Sequence, residues 1–142
     1  MPDKLVARSQ GVTAVGAERI LDLRRLARNV AGLCGVDSDL FERLIQRESS
    51  FRSDAVSATG ARGLAQVFKR TALEISPHLD IRNNYDNLLT GACYLRQQID
   101  RFGLRRGLHA YHDGPGAISR GPASAVAVRY ADDILEEKPS HD

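Results

Sequence analysis

The chain has 142 residues, of which 42% are hydrophobic and 27% charged, and its formal net charge is +2. This length and composition predict one soluble globular domain and exclude disordered, collagen-like and low-complexity classes. The small net charge and the aromatic content of four Tyr, four Phe and no Trp disfavour a dedicated nucleic-acid binder.

The sequence contains no apolar run of about 18 residues, so it predicts no transmembrane helix. Near the start, Lys4 and Arg8 precede only a short stretch, residues 11–17, that lacks Leu, Ile and Phe. A secretory signal needs a more apolar segment, so we expect none here. Cys34 and Cys93 allow at most one disulfide, and their small-apolar positions in predicted helices favour buried free thiols.

The predicted elements begin after a flexible lead-in over residues 1–16. Apolar side chains at three- and four-residue steps predict an amphipathic helix over residues 17–34. Its apolar positions are Ile20, Leu23, Leu26, Val30 and Leu33. Asp37, Ser38 and Asp39 supply cap residues for a second helix, which runs to about Ser49, and Asp39 with Glu42 resembles a capping box.

Small and polar residues over 52–63 mark the one segment where a short strand or hairpin fits. A third helix is predicted over residues 64–75, and Pro77 stops it. The clearest helix of the chain follows and is closed by Gly103. Its apolar stripe is Leu88, Ala92, Leu95, Ile99 and Phe102.

A short helix over residues 104–111 is expected to end in a breaker-rich run at 113–116. The last helix is expected to begin near Pro122, a good first-turn residue. It should pack through Val126, Tyr130 and Ile134. With residues 138–142 as a polar tail, the sequence predicts an all-α fold, with at most one short hairpin, in a single domain over residues 17–137.

Glu48 continues the apolar face of the second helix, because it follows Leu44 by four residues and Ile45 by three. The pattern therefore predicts a carboxyl group at the edge of the core, although a solvated glutamate is the alternative. Burial and the helix dipole both disfavour its charged form, so its pKa should be raised unless Arg47 or Arg52 opposes this. A carboxylic acid that stays protonated near neutral pH suits general-acid cleavage of a glycosidic bond.

Four short motifs follow one another in register, beginning at this glutamate. They are ESSF at 48–51, AVSATGARGLAQ at 55–66, NLLTGACYL at 87–95 and AYHDGPG at 110–116. In these motifs and their order, the sequence resembles the soluble lytic transglycosylase family, whose domain is related to goose-type lysozyme. The resemblance covers roughly residues 37–135, and four motifs in register make it specific.

The resemblance implies that Glu48 is the catalytic acid and that no cofactor or metal is needed. It implies that the residues lining the substrate cleft are Ser49, Ser57, Gln66, Phe68 and Tyr111. Tyr111 should point its hydroxyl toward the catalytic carboxyl, and Ser49 should help to orient the helix end. Gln66 meets no evident structural demand, which favours a functional role, whereas Phe68 and Tyr111 also fit core positions.

The reaction that the resemblance implies needs one carboxyl group, whereas most glycosidases use two. The 6-hydroxyl of the muramyl sugar attacks its own anomeric carbon, which gives a 1,6-anhydro end without water. Glu48 would first protonate the leaving oxygen and then, as a carboxylate, accept the proton of that hydroxyl. The implied substrate is the glycan strand of peptidoglycan, cleaved between its N-acetylmuramic acid and N-acetylglucosamine residues.

Several positions depart from the family pattern. Ala65 replaces a methionine, and His112 with Asp113 replaces an asparagine and a small residue. His112 could still bind sugar, whereas Asp113 or Asp54 could be the second carboxylate of a hydrolase. His109, His112 and Asp113 are too few ligands to indicate a metal site.

The expected setting is the bacterial envelope, reached without the general secretory route. A phage virion component that opens the wall fits this expectation best, and an enzyme of a specialised secretion machine comes second. A peptidoglycan hydrolase, or a non-catalytic structural or glycan-binding component of an assembly, remains the alternative to a transglycosylase.

Overall fold

The computed structural model describes residues 14–136. Over this range the chain forms seven helices, which are numbered here in chain order. They are α1 (Ala14–Leu33), α2 (Ser38–Ser49), α3 (Lys69–Ile75), α4 (Asn84–Phe102), α5 (Leu104–Asp113), α6 (Pro115–Arg120) and α7 (Ala125–Leu135). The predicted all-α class is confirmed, since the β structure of residues 14–136 is limited to two isolated antiparallel bridges. None of these helices is long and apolar enough to cross a membrane.

α1 begins inside the predicted lead-in, while residues 1–13 and the predicted tail lie outside the described residues. Only its second half enters the core, where Ala27 and Val30 are fully buried. The predicted apolar stripe is wrong at both ends, because Ile20 is 36% exposed and Leu33 is 68% exposed. The whole stretch 17–22 is exposed, so α1 extends beyond the helices that cover it.

The start of α2 is capped by Asp37, whose carboxylate accepts a hydrogen bond of 2.9 Å from a first-turn backbone N–H. The predicted capping box at Asp39 and Glu42 is therefore wrong. Both carboxylates instead pair with arginines of α1, at 2.6 Å to Arg28 and 3.0 Å to Arg24. These charges join the two helices along the edge of their apolar contact.

The loop between α2 and α3 forms the short hairpin expected near residues 52–63, with bridges that pair Arg62 with both Val56 and Val67. The predicted helix over 64–75 is wrong in its first part. Residues up to Val67 belong to the hairpin, and Phe68 is the N-cap of α3.

The side chain of Asn87, on α4, forms hydrogen bonds with the backbone of this hairpin and is only 1% exposed. Its side-chain amide donates to the carbonyls of Arg62 at 2.9 Å and Ile81 at 3.0 Å, and its oxygen accepts the Ala65 N–H at 2.8 Å. Gly63 faces the same amide with a φ of +77°, and a Cβ there would lie 2.4 Å from the Asn87 nitrogen. The hairpin therefore requires the buried amide of Asn87 and a glycine at position 63.

α4 and α5 pack backbone against backbone after a turn at Gly103, as the sequence predicted for the end of α4. A Cβ on Gly107 would lie 2.8 Å from Cα of Ile99, so this glycine permits the close approach. α5 ends in the breaker-rich run 113–116 as predicted, with Gly114 as its C-cap. The sequence did not predict α6, which starts at Pro115, a residue that suits the first turn of a helix.

The last helix begins later than predicted, because Ser124 rather than Pro122 marks its start. The Ser124 hydroxyl accepts the N–H of Ala127 at 3.0 Å as the N-cap of α7. The expected packing through Val126 is wrong, since that side chain is 45% exposed. Ala127 takes its place on the buried face, beside Tyr130, which is 1% exposed.

Candidate active site

Glu48 lies in the last turn of α2 and is half-buried, as its place on the apolar face predicted. Directly after it the chain reverses through Ser50 and Phe51, whose φ angles are +53° and +59°. Left-handed conformations are unfavourable for such residues and persist where surrounding structure enforces them. The buried Phe51 ring, which is 4% exposed and has the Arg24 guanidinium 4.4 Å from its centre, provides that restraint. Core packing thus fixes the helix end that carries the acid.

The hydroxyl of Tyr130 donates a hydrogen bond of 2.5 Å to Oε2 of Glu48. Tyr130 comes from α7, and its ring is in turn covered by the guanidinium of Arg47 at 5.6 Å. Burial, followed by the negative charge of Glu48, raises the pKa of the Tyr130 phenol well above its ordinary value. The phenol therefore remains a donor, and one oxygen of the carboxyl group has a fixed partner.

The pKa of Glu48 is raised above its ordinary value of 4.5, and burial is the dominant cause. The hydrogen bond from Tyr130 and the charges of His112 and Arg47 act in the opposite direction without cancelling it. The predicted direction is confirmed. A carboxyl group in this environment holds its proton at a higher pH than an exposed glutamate does.

The hydrogen-bond partner of the Tyr111 hydroxyl is a backbone group and not the carboxyl group of Glu48. The hydroxyl donates to the backbone carbonyl of Ala65, at 2.7 Å. Gly91 admits this contact, since a Cβ there would lie 2.5 Å from Cβ of Ala65 and 3.0 Å from the Tyr111 hydroxyl. Burial and then the charge of Glu48 raise the pKa of Tyr111, so it lies within electrostatic reach of the acid.

His112 and Asp113, at the end of α5, form a second contact with this centre. The His112 ring packs against the Tyr130 ring, with 5.0 Å between centroids. Its Nδ1 lies 2.8 Å from Oδ1 of Asp113, whose two oxygens also accept the Ser124 hydroxyl at 2.9 Å and the Ser124 N–H at 2.8 Å. Asp113 therefore ties the end of α5 to the start of α7.

Burial works to raise the pKa of Asp113, but the hydrogen bonds from Ser124 and His112 outweigh it and the pKa is lowered. Asp113 is thus an ionised group whose oxygens are both engaged. Because a carboxylate only accepts hydrogen bonds, Nδ1 of His112 is the donor in this contact, and Nε2 is the other ring nitrogen. This geometry favours an orienting role for Asp113 over that of a second catalytic carboxylate.

A cavity of about 380 Å³ lies next to this centre. Its walls include five of the predicted site residues, namely Gln66, Phe68, Tyr111, His112 and Asp113. Tyr94 also lines it, with its ring 5.4 Å from that of Tyr111. Flat aromatic faces combined with polar groups suit a sugar ligand. Tyr111 and His112 belong both to this wall and to the surroundings of Glu48, so they connect the cavity with the acid.

Gln66 does meet a structural demand, which the sequence did not reveal. It has a φ of +51°, and its side-chain nitrogen donates to the carbonyls of Gly63 at 2.9 Å and Ala55 at 3.1 Å. The residue thus holds the hairpin together while it lines the cavity.

Glu48 and three other predicted site residues are not among the side chains that line this cavity. Ser49 is 2% exposed and its hydroxyl donates to the Ile45 carbonyl at 3.3 Å, so the contact with substrate expected of it is wrong because the side chain faces its own helix. Ser57 closes the hairpin turn by accepting the Ala61 N–H at 3.0 Å. Asp54 lines a separate cavity of about 180 Å³.

Two other features of residues 14–136 bear on the site. Another cavity, of about 680 Å³, is lined mainly by charged side chains of α1, α2 and α7 and includes none of the predicted site residues. No group of three or more His, Cys, Asp or Glu side chains in this range is arranged to hold a metal ion. His109, named above with His112 and Asp113, is 7% exposed, and its ring nitrogens have no hydrogen-bond partner among the described residues.

The sequence did not single out Tyr130 or Tyr94 as site residues. Tyr130 was assigned to the core stripe of α7, where a buried hydroxyl needs a hydrogen-bond partner. The need of the Tyr130 hydroxyl for a partner could have indicated a role in the site. The sequence could not identify that partner, because Glu48 lies 82 positions away in the chain.

Several known proteins resemble this chain in sequence or in fold. The sequence profile of the family described as "Transglycosylase SLT domain" matches residues 26–132. The transglycosylase of Enterobacteria phage PRD1 is 36% identical over 90 residues, which cover 61% of this chain and 32% of the phage protein. Membrane-bound lytic murein transglycosylase C of Histophilus somni (strain 2336) is 34% identical over 126 residues, which cover 75% of this chain and 34% of that protein.

A similar fold occurs in the X-ray structure of the lytic transglycosylase Slt from Pseudomonas aeruginosa, solved as an inactive glutamate-to-glutamine mutant. The TM-score is 0.68 at 25% sequence identity, over 79% of this chain and 22% of that chain. This chain therefore spans about a third of its curated relatives' length and about a fifth of Slt. Because the family profile matches most of its length, this protein belongs to the transglycosylase SLT domain family.

Proposed function

We propose that this protein is a lytic transglycosylase that cleaves peptidoglycan glycan strands between N-acetylmuramic acid and N-acetylglucosamine and leaves a 1,6-anhydro end. The observation that carries the proposal is the half-buried Glu48 carboxyl, whose pKa is raised and whose Oε2 is held by Tyr130 beside an aromatic-lined cavity. Family membership supports the reaction class, and the inactive mutant of Slt is a glutamate-to-glutamine change.

In the first step, Glu48 acts as general acid. Because Tyr130 donates to Oε2, the proton of the acid form resides on Oε1, from which it passes to the leaving glycosidic oxygen as the bond to the anomeric carbon breaks. The carboxylate that results is stabilised by the phenol and by the charges of Arg47 and His112, which favour its ionised form.

In the second step, the same carboxylate acts as general base. It accepts the proton of the muramyl 6-hydroxyl while that oxygen bonds to the anomeric carbon, so Glu48 regains its proton and no water is consumed. A single acid and base is sufficient for this route, whereas hydrolysis uses a second carboxylate to activate water. Asp113, which is engaged by Ser124 and His112, is poorly placed for that second role.

The cavity beside Glu48 is the proposed sugar site, contacted by Gln66, Phe68, Tyr94, Tyr111 and His112. Aromatic faces would stack on sugar rings, and the side-chain oxygen of Gln66 together with Nε2 of His112 would bond hydroxyl or N-acetyl groups. Close packing by the sugar would also keep water from the reacting carbon.

The deciding experiment is incubation of the protein with purified peptidoglycan, followed by mass analysis of the released muropeptides. Anhydro-ended products, lighter by one water than reducing-end products, are expected. Reducing ends would instead identify a hydrolase, and unchanged sacculi would identify a binding or structural component. Glu48→Gln should lower the rate by at least about 10²-fold while the protein stays folded. Glu18→Gln, on the exposed start of α1, is the matched control and should leave the rate unchanged.

We further propose that the protein opens the wall as part of a phage virion, with an enzyme of a specialised secretion machine as the second candidate. The relative in phage PRD1 supports the first. Mass spectrometry of purified phage particles should detect the chain at a constant copy number per particle. Its absence from the particles, with free activity in the host periplasm, would contradict a virion role.

A further inference from the structure

Two thiol groups meet where the turn after α1 faces α4. The Sγ atoms of Cys34 and Cys93 lie 2.8 Å apart, although 59 positions separate the two residues in the chain. The sequence predicted buried free thiols, but both side chains are only half-buried. The pair is therefore accessible to small reagents from solvent.

Backbone and side-chain hydrogen bonds keep the two sulfur atoms together. The Cys34 N–H donates to the Ala31 carbonyl at 3.1 Å, which fixes the turn at the end of α1. One residue later, the Gly35 carbonyl accepts a hydrogen bond of 2.8 Å from Arg96, which lies on α4 a turn beyond Cys93. The turn is thus anchored to α4 at a point adjacent to the thiol pair.

We propose that Cys34 and Cys93 form an intramolecular disulfide that joins α1 to α4 when the protein meets a disulfide oxidant. A bond between them needs the sulfur atoms to approach by less than about 1 Å, which small side-chain rotations can supply. This inference rests on residues outside the site of Glu48 and is independent of the proposed function.

The reaction is a thiol–disulfide exchange with an oxidant of the form R–S–S–R. The thiolate of one cysteine attacks the oxidant, forms a mixed disulfide and releases R–S⁻. The other cysteine then attacks the protein sulfur of that mixed disulfide, which forms the internal bond and releases a second R–S⁻. The two protons of the protein thiols pass to the released thiolates, so two thiols are oxidised and one disulfide is reduced.

Burial, followed by the hydrogen bond to Cys93, raises the pKa of Cys34 to about 12. Because the thiolate is the reactive form, the uncatalysed exchange should be slow at neutral pH and faster as the pH rises. The disulfide would close a loop that includes α2 and α3, which constrains the unfolded chain and favours the folded one. It would also fix α4, whose Tyr94 lines the cavity beside Glu48.

The test uses the full chain and oxidised glutathione at mildly alkaline pH. We expect the denatured product to show no free thiol and a peptide map to contain one cross-linked peptide pair, lighter by two hydrogen atoms than its reduced parts. The urea midpoint should be higher for the oxidised protein than for the reduced protein. The matched controls Cys34→Ser and Cys93→Ser should each stop at a mixed disulfide with glutathione and show no internal bond.

Two free thiols after prolonged oxidation would overturn the proposal, as would glutathione on both sulfur atoms or cross-linked dimers. Equal urea midpoints for the oxidised and reduced forms would overturn its stabilising part. Peptide mapping of the wild-type chain does not depend on the folding of either serine variant. The double variant Cys34→Ala/Cys93→Ala, which has no thiol, is a second control.

Discussion

The hydroxyl of Tyr130 and the carboxyl group of Glu48 are 82 positions apart in the chain and 2.5 Å apart in the structure. The bond joins the end of α2 to the middle of α7 and fixes the orientation of the proposed acid. It also lowers the pKa of Glu48 and thereby limits the effect of burial. The strength of the acid therefore depends on how these two helices meet.

Replacing Tyr130 with phenylalanine removes this hydrogen bond and keeps the buried ring. The pKa of Glu48 should rise further, so its acid form should persist to higher pH. The alkaline limb of the pH–rate profile should therefore shift to higher pH. The rate at the optimum should fall about 10- to 100-fold, as expected for loss of a hydrogen bond to a charged group. Tyr85→Phe, at a 43% exposed site on α4, is the control and should change neither quantity. An unshifted profile for the Tyr130 variant would contradict this role.

Glu48 should also make the stability of the fold depend on pH. Its folded-state pKa lies above its ordinary value of 4.5, so the folded state binds the proton more tightly than the unfolded state. The stabilisation that this proton provides is complete below about pH 4.5 and is lost as the pH rises through the raised pKa. In urea unfolding, the Glu48→Gln variant should lack this decline, and Glu18→Gln should retain it. A decline of equal size in both variants would assign it to other groups.

Asp113 should prove to be an orienting residue. Asp113→Asn should lower the unfolding free energy by about 1–3 kcal/mol, because hydrogen bonds from Ser124 and His112 to a carboxylate are weakened. Turnover should fall by about 10-fold or less, and the products should keep their anhydro ends. Asp22→Asn, on an exposed face of α1, should change neither property. Loss of turnover by 10³-fold with the fold intact would instead mark Asp113 as a catalytic carboxylate.

His109 should destabilise the protein in acid. Burial, followed by the charges of Arg105 and Arg106, lowers its pKa below the ordinary 6.5, and within residues 14–136 neither ring nitrogen has a hydrogen-bond partner. The unfolded state therefore takes up a proton first, so stability is complete above about pH 6.5 and is lost as the pH falls through the lowered pKa. His109→Leu should remove this loss in urea unfolding at pH 5 compared with pH 7.5, whereas exposed His78→Asn should not. An identical acid loss in the His109 variant would refute this explanation.

Gly91 is required for the wall of the proposed sugar site. In Gly91→Ala, the new Cβ would lie 2.5 Å from Cβ of Ala65 and 3.0 Å from the Tyr111 hydroxyl. We expect a loss of about 1–3 kcal/mol in unfolding free energy and weaker glycan binding. Gly32→Ala is the control, because no atom lies within 4 Å of a Cβ at that helical position. This control should stabilise the protein by about 0.5–1 kcal/mol, and an equal effect of both changes would exclude the steric explanation.

Much of the fold could be predicted from local sequence patterns. The predictions failed where distant segments of the chain contact one another. The stripes of α2 and α4 gave helices close to the predicted bounds, because side chains on one helix face share one environment. The helix predicted over 64–75 lost its first part to the hairpin, since Arg62 pairs with Val67 and Asn87 binds the loop from α4. Local hydrophobicity carries no information about such distant hydrogen bonds.

The sequence by itself determined the half-buried position of Glu48, because helical periodicity reports which face of a helix is covered, and four motifs in register indicated the family. Only the tertiary structure decided that Tyr130 rather than Tyr111 binds the acid, and that Asp113 is engaged by Ser124. These pairings depend on the relative placement of α2, α5 and α7. Hydrogen bonds form at specific distances and directions, which residue spacing along one chain cannot specify.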